Sequence, residues 1–457
     1  MLTRRQFGFS LGAGALAFAS PPPDAPWNGP AIVHKLFLAH PKPTWPYPAL
    51  DCKAEAESIS ARLAGLEDKH PGVVRFTGGD LLLTGSPMEP LIKRTAGADA
   101  VLVLDLTTST GPQFEALDKL DLPLLLFQRP LTSWAFMNFA EYLRKGRKAD
   151  MLNTGDFAGL VPHMYMLRSI HHLRNSKVLV VRDGKADPAA YEPWTRQFGT
   201  QVALPSYAAF KAAYDEVPAE QARQAASEFA RGALRVVEPK AADLDKALRF
   251  YLAALAVLRR ERANALTIDC LGGFKRGELP AYPCVAFSKL NDAGLYGVCE
   301  ADFQSTMTQL LVTSYSGKPG FVSDPTFDTS RNEVIHAHCV AATCMRGLGG
   351  APSPYSLRTH MEDEKGVSLQ VEMPVRETVT VGKFANPNTF LVSTGEVTSN
   401  LDDKRGCRTK IVTRVANARK FAEGYTGGLH RVVFYGDHSD AIERMGRLMG
   451  FRAVPEG

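Results

Sequence analysis

From Ala31 onward, apolar and polar positions follow two rhythms. Short runs of β-branched residues and leucine at 31–38, 72–76, 100–105 and 122–127 read as strands, and the stretches 53–69 and 86–96 repeat apolar residues at helical spacing. Strand and helix in alternation imply a parallel sheet covered on both faces. In such a sheet ligands sit beyond the carboxyl ends of the strands, so residues 105–110 and Gln128-Arg129 are candidate substrate-side loops, although ordinary loop chemistry explains each of them equally well.

A second unit of the same kind begins near Asn153. Residues 159–173 read as a helix, 177–182 as a buried strand turned by Asp183-Gly184, 241–264 as a long helix, and 266–269 and 284–287 as further strands. No G-x-G-x-x-G follows a strand in either unit, which excludes a dinucleotide fingerprint. After Phe321 the texture changes. Residues 366–374, 378–381, 389–395 and 410–414 alternate apolar and polar side chains between Asn, Gly and Asp clusters, the pattern of antiparallel strands in a small barrel or sandwich. A last helix at 439–449 stops at Gly450. The chain therefore reads as an α/β protein in three units, 30–152, 153–320 with Glu300, and a β-rich 321–457.

At 457 residues two or three domains are expected. The apolar fraction of 45% and charged fraction of 22% are those of a globular chain, and a net charge of +5 is too slight to indicate nucleic acid. Residues 1–20 change the picture most. Thr3-Arg4-Arg5-Gln6-Phe7 is a twin-arginine pattern, the apolar run 9–18 and Ala17-Phe18-Ala19 complete an export signal, and a periplasmic destination is expected. No later run is long enough for a membrane span. The 7 cysteines show no CxxC spacing, so neither a zinc framework nor a disulfide is expected.

Two carboxylates and four histidines are the candidates for chemistry. Glu300 enters where the apolar stretch 294–299 expects burial, and a buried carboxylate needs a cation, a metal or hydrogen bonds. Alone it reads as an acid at a helix N-terminus. Asp324, before Pro325, reads alone as a turn residue. His336 and His338 would share one face of a strand, where a single histidine is more often a core residue. His430 follows Gly427-Gly428-Leu429, and His438 follows Asp437. Two carboxylates with imidazole suit Mn²⁺ or another divalent ion, so Glu300 and Asp324 together with histidines from these segments form a candidate ligand set.

Glu300-Ala301-Asp302, Ser323-Asp324-Pro325-Thr326-Phe327, Ala337-His338-Cys339 and Gly427-Gly428-Leu429-His430 resemble the L-fucose and L-arabinose isomerase superfamily. Leu357-Arg358-Thr359-His360-Met361-Glu362, Gly366-Val367-Ser368-Leu369-Gln370 and Cys407-Arg408-Thr409 add to the likeness, which runs from about Cys284 to the C-terminus. The resemblance implies two Rossmann-like parallel-sheet domains followed by a smaller antiparallel β-barrel-like domain, in a homotrimer or homohexamer. It implies Mn²⁺ held by Glu300, Asp324, His338 and His430, with Glu300 and Asp324 as the acid/base pair that interconverts a free aldose and ketose, a pentose or deoxyhexose. His336 and His438 have no counterpart in the motifs. Ala301 stands where the family carries glycine, and export is unusual for enzymes of cytoplasmic sugar catabolism. An exported carbohydrate-binding protein without catalysis, on the same scaffold, is the competing expectation.

Overall fold

The computed structural model describes residues 25–87, 89–182 and 187–457, so the twin-arginine segment and the Asp183-Gly184 turn lie outside the described residues. The first strands are β1 (Ala31–Ala39), β2 (Val74–Leu83), β3 (Ala100–Asp105), β4 (Leu124–Gln128) and β5 (Ala149–Asn153). They form a parallel sheet in the order β2-β1-β3-β4-β5. Every residue of β3 is buried, as an apolar strand between two helical layers must be. β2 runs further than its hydrophobicity suggests. Its register against β1 shifts opposite Gly78 and Asp80, so Gly79, at φ +123°, bulges out and hides the strand from an alternation test. At the carboxyl edge the candidate loops bond within themselves: Thr110 Oγ1 donates to Asp105 at 2.9 Å and Gln128 Nε2 to Thr132 at 2.6 Å.

The next strands are β6 (Lys177–Val181), β7 (Gln201–Ala203), the short β8 (Arg235–Val236), β9 (Ala265–Ile268) and β10 (Tyr296–Cys299). β8 stands apart; the other four make a second parallel sheet, β10-β9-β6-β7. The apolar run 284–287, expected as a strand, belongs to the helix Cys284–Asp292. Four consecutive apolar residues fit a fully buried helix as well as a strand, and this helix is buried almost all round. It lies directly on β10. A Cβ at Gly297 would come 2.6 Å from Phe287 Cα, so glycine is required there, and the Asn291 side chain bonds both Gly297 N and O.

The C-terminal part comprises β11 (Phe321–Asp328), β12 (Glu333–His338), β13 (Tyr355–Arg358), β14 (Ser368–Val371), β15 (Glu377–Asn386), β16 (Thr389–Asn400), β17 (Thr409–Val415), β18 (Arg431–Tyr435) and β19 (Arg452–Pro455). Six of them close an antiparallel barrel, β15-β18-β11-β12-β17-β16, with β16 returning to β15; β19 adds to β16 in parallel. Closure removes the open edges that an antiparallel sheet would present. β14, β13 and β8 form a separate three-stranded sheet, tying the middle of the chain to its last third. The helix Phe303–Ser316 packs on β15, on β10 and on the helix Leu160–Arg174, so the barrel is seated against the parallel sheets through a shared core. The final helix runs Ser439–Met449 and ends at Gly450 in a left-handed conformation. No helix among the described residues is long and apolar enough to cross a membrane.

Arg431, the first residue of β18, is fully buried and grips the C-terminus. Its Nε and Nη2 meet the two Glu456 carboxylate oxygens at 2.8 and 2.6 Å, while Nη1 and Nη2 also donate to the carbonyls of Gly428, His430 and Thr426. Removing one partner leaves a buried charge without compensation. Glu456→Ala is therefore expected to lower stability by about 3 kcal/mol in urea denaturation, and a loss below about 1 kcal/mol would show that the carbonyls alone satisfy the guanidinium.

Candidate metal centre

β10 ends at Cys299, and the next three residues carry the chain into the helix Phe303–Ser316. Asp302 is the N-cap of that helix, accepting from Ser305 N at 2.9 Å and Ser305 Oγ at 2.7 Å. Between strand and cap the backbone is strained: Glu300 has φ +61° and Ala301 φ +51°, two consecutive side-chain-bearing residues in the left-handed region. Ala301 N donates to Ile268 O at 2.9 Å, which pins this turn to the end of β9. The turn aims Glu300 at the barrel mouth.

There the strand pairing supplies the other groups. Ser323 lies opposite Arg431 and Asp324 opposite Ala337, so Asp324 stands beside His430 on one flank and beside the end of β12, His338, on the other. All four residues expected from the sequence converge. His430 Nε2 is 3.4 Å from Glu300 Oε2 and 3.3 Å from Asp324 Oδ1, and His338 Nε2 is 3.8 Å from Glu300 Oε1. His336, on the same strand, is a core residue after all, buried between Ser323 Oγ and Thr413 Oγ1 at 3.0 and 3.1 Å.

The two imidazoles are prepared differently. His430 Nδ1 meets Asp302 Oδ2 at 2.8 Å, and the same oxygen accepts from the buried Lys383 Nζ at 2.7 Å. A carboxylate on Nδ1 holds a proton there, so that Nε2, once it gives up its own proton, turns its lone pair to Glu300 and Asp324, the usual support for a metal-binding histidine. His338 Nδ1 instead accepts from Cys339 N at 2.8 Å. In the neutral ring the proton then sits on Nε2, which faces Cys299 Sγ at 3.3 Å and Glu300.

Among the described residues, Asp324 Oδ1 and His430 Nε2 are both buried polar atoms that meet no hydrogen-bond partner. Such atoms are costly to leave unpaired, and here two of them face the same space with a third oxygen beside them. A cation between Asp324 and His430 would satisfy both unpartnered atoms. Two donor groups meet the spacing a metal ion needs, Asp324 with His338 and His430, and Cys299 with Glu300 and His338.

The charges pull the acids apart. Burial pushes the Asp324 carboxyl up to about 6, with Glu300 adding to the rise. The imidazole of His430, 3.4 Å away, holds Glu300 below the ordinary carboxylate range against the effect of burial. Burial alone would depress His430, yet Asp302 and Glu300 outweigh it and raise the imidazole to about 9. Burial also lowers His338, to about 3.

Asp302, Lys383 and Cys299 were not singled out as participants by sequence reasoning. Lys383 had a readable signal, since it interrupts a strand whose neighbours from Val379 to Phe384 are all buried, and a buried ammonium demands an anion.

The chain thus has two parallel α/β sheets and a closed six-stranded barrel, with a cluster of donors able to hold a metal ion where the second sheet meets the barrel. No family profile matches it, and no curated protein matches it at a significant level.

Replacing Ala301 by glycine removes a left-handed penalty of about 1–2 kcal/mol and adds about 0.4–1 kcal/mol of unfolded-chain entropy. Ala301→Gly should therefore stabilise the protein by up to about 1 kcal/mol in chemical denaturation; a loss of stability would mean that the Ala301 methyl group, packed against the core, is worth more than the strain it brings.

Proton competition sets a second expectation. A cation must displace protons from His430, held at about 9, and from Asp324, at about 6, so affinity for a divalent ion should rise steadily from pH 5 to pH 9. Calorimetric titration of metal into the chain at several pH values tests the sign. Asp302→Asn, which removes the charge on His430 Nδ1, should weaken binding by about 10- to 100-fold.

Proposed function

We propose that the chain is a metal-dependent aldose–ketose isomerase, similar to the L-fucose and L-arabinose isomerases, acting on a free pentose or deoxyhexose. The observation that carries this reading is the pair of unpartnered buried atoms, Asp324 Oδ1 and His430 Nε2, beside the Glu300 carboxylate. Mn²⁺ is the ion implied by the resemblance, and Glu300, Asp324 and His430 are the residues prepared to hold it, with His338 at their edge. An ion held there would polarise the sugar carbonyl and offset negative charge gathering on the sugar oxygens.

Interconversion of aldose and ketose takes a proton from C2, returns one to C1 and passes a hydroxyl proton from O2 to O1, by way of an enediol. Two carboxyl groups with different proton affinities suit that exchange. Glu300, held ionised, is the base that accepts the C2 proton. Asp324, whose carboxyl is raised to about 6, can hold a proton near neutrality and give it to C1. Both groups stand on rigid elements, Glu300 on the strained turn after β10 and Asp324 within β11. The twin-arginine pattern supports export of the chain, and the resemblance supports a homotrimer or homohexamer.

Incubating the protein with Mn²⁺ and a panel of aldopentoses and deoxyhexoses in heavy water tests the proposal. Deuterium should appear at C1 of the ketose or C2 of the aldose, chelator should abolish it, and Glu300→Gln should reduce turnover by at least about 100-fold. A sugar that raises the melting temperature of both wild type and Glu300→Gln without any deuterium uptake would instead identify a carbohydrate-binding protein.

A further inference from the structure

The spacing of the 7 cysteines along the chain predicts no bridge, but the fold brings two of them together. β12 and β17 run antiparallel, and their last opposed pair is His338 with Thr409. Cys339 and Cys407 come directly beyond it, one residue past His338 on one strand and two residues before Thr409 on the other. The two segments stay close there, since a Cβ at Gly406 would come 3.9 Å from Ala337 Cβ. Opposed residues in an antiparallel pair have Cα atoms about 4.5–5.5 Å apart, within the span of a disulfide.

Three donors converge on the Cys339 sulfur: the Cys407 thiol and the backbone N–H groups of Arg408 and Met361 all hydrogen-bond to it. The two sulfurs therefore meet, and both residues are free thiols. The segment that carries Cys407 is anchored without them, because Lys410 Nζ donates to Cys407 O at 2.7 Å and Arg408 Nε donates to Thr359 O at 2.8 Å. Cys339 is buried and Cys407 only partly so, which means that an incoming reagent meets Cys407 first. An accessible thiol backed by a second, resolving thiol is the arrangement that disulfide exchange requires.

We propose that Cys339 and Cys407 are a redox-active pair that closes a disulfide across the ends of β12 and β17 when the chain meets a disulfide-type oxidant. The inference does not depend on the metal or on the reaction assigned to the site. In the first exchange the Cys407 sulfur attacks one sulfur of the oxidant, the oxidant's S–S bond breaks, and one thiol leaves with the proton from Cys407. In the second the Cys339 sulfur attacks Cys407, and the other half of the oxidant leaves as a thiol with the proton from Cys339. Two electrons pass from the pair to the oxidant. The bridge lies beside the donor cluster, because the Cys339 N–H is the group that bonds His338 Nδ1 at 2.8 Å. The twin-arginine pattern fits this chemistry, since disulfides persist in exported proteins.

Oxidised glutathione is the probe. The folded full-length chain is incubated with it, remaining thiols are alkylated in denaturant, and peptides are mapped by mass spectrometry without reduction. The wild type should lose two alkylatable thiols and yield a cross-linked peptide joining Cys339 to Cys407, at least about tenfold above any other pair, and dithiothreitol should restore both thiols. Cys339→Ser should stop at a glutathione adduct on Cys407, whereas Cys52→Ser should still form the bridge. A wild-type chain that keeps all 7 thiols, that stops at the mixed disulfide, or that joins a different pair overturns the inference. Cys339 is buried and its serine variant can fail to fold; the wild-type map then decides alone.

Discussion

One carboxylate, Asp302, holds the site together. Asp302 caps the helix Phe303–Ser316 with one oxygen, and with the other it accepts from Lys383 of β15 and from His430 just before β18. Three parts of the chain that are far apart in sequence meet on this one side chain. None of its partners is free to leave, because Lys383 and His430 are buried and either would otherwise be a charge or a donor without compensation. The Asp302 carboxyl is correspondingly held far below its ordinary range, against burial, by His430 and Lys383. The fixed proton on His430 Nδ1 follows from this anchoring, and so does the direction of Nε2 toward Glu300 and Asp324.

Arg431 repeats the device one residue further on. Its guanidinium binds Glu456 and three carbonyls of the 426–430 segment, so the loop that delivers His430 is held from behind by an ion pair and in front by Asp302. Barrel closure adds a third constraint, since β11, which carries Asp324, pairs with β18 on one side and with β12 on the other. The donor cluster is therefore preorganised by backbone pairing and buried charge together, with little left to loop flexibility.

Much of the fold was legible because period and burial agree. β3, β6 and the final helix are read almost to the residue, each with a single unambiguous pattern. The misreadings have physical causes. The apolar run at Cys284 is buried on all sides, so it shows no amphipathic period to separate helix from strand, and the second half of β2 is masked by a glycine bulge. At the site, Glu300, Asp324, His338 and His430 were found because the order of the surrounding motifs carried the signal; none stands out locally. Asp302 and Lys383 were missed because their function is to each other and to His430, a relation that exists only once the barrel has closed. Cys299 sits in an apolar run, where a cysteine is normally a small buried hydrophobe, so nothing local sets it apart.

The strained turn at Glu300 and Ala301 links these observations. A left-handed pair of residues costs on the order of 1–3 kcal/mol each, and the chain keeps it only because both ends are overdetermined. At one end Ala301 N is bonded to Ile268 O and Gly297 is wedged against Phe287; at the other Asp302 is locked into its cap and its two cationic partners. A relaxed turn would need more residues to cover the same path, and Cys299, Glu300 and Asp302 could not then face the barrel within three consecutive steps. Strain at this point is thus the consequence of compressing a sulfur, a carboxylate and a histidine-orienting carboxylate into one tight connection. Glycine would make that connection more easily. Alanine narrows the accessible backbone further, so the position of the Glu300 carboxylate is set by the turn itself as well as by whatever it binds.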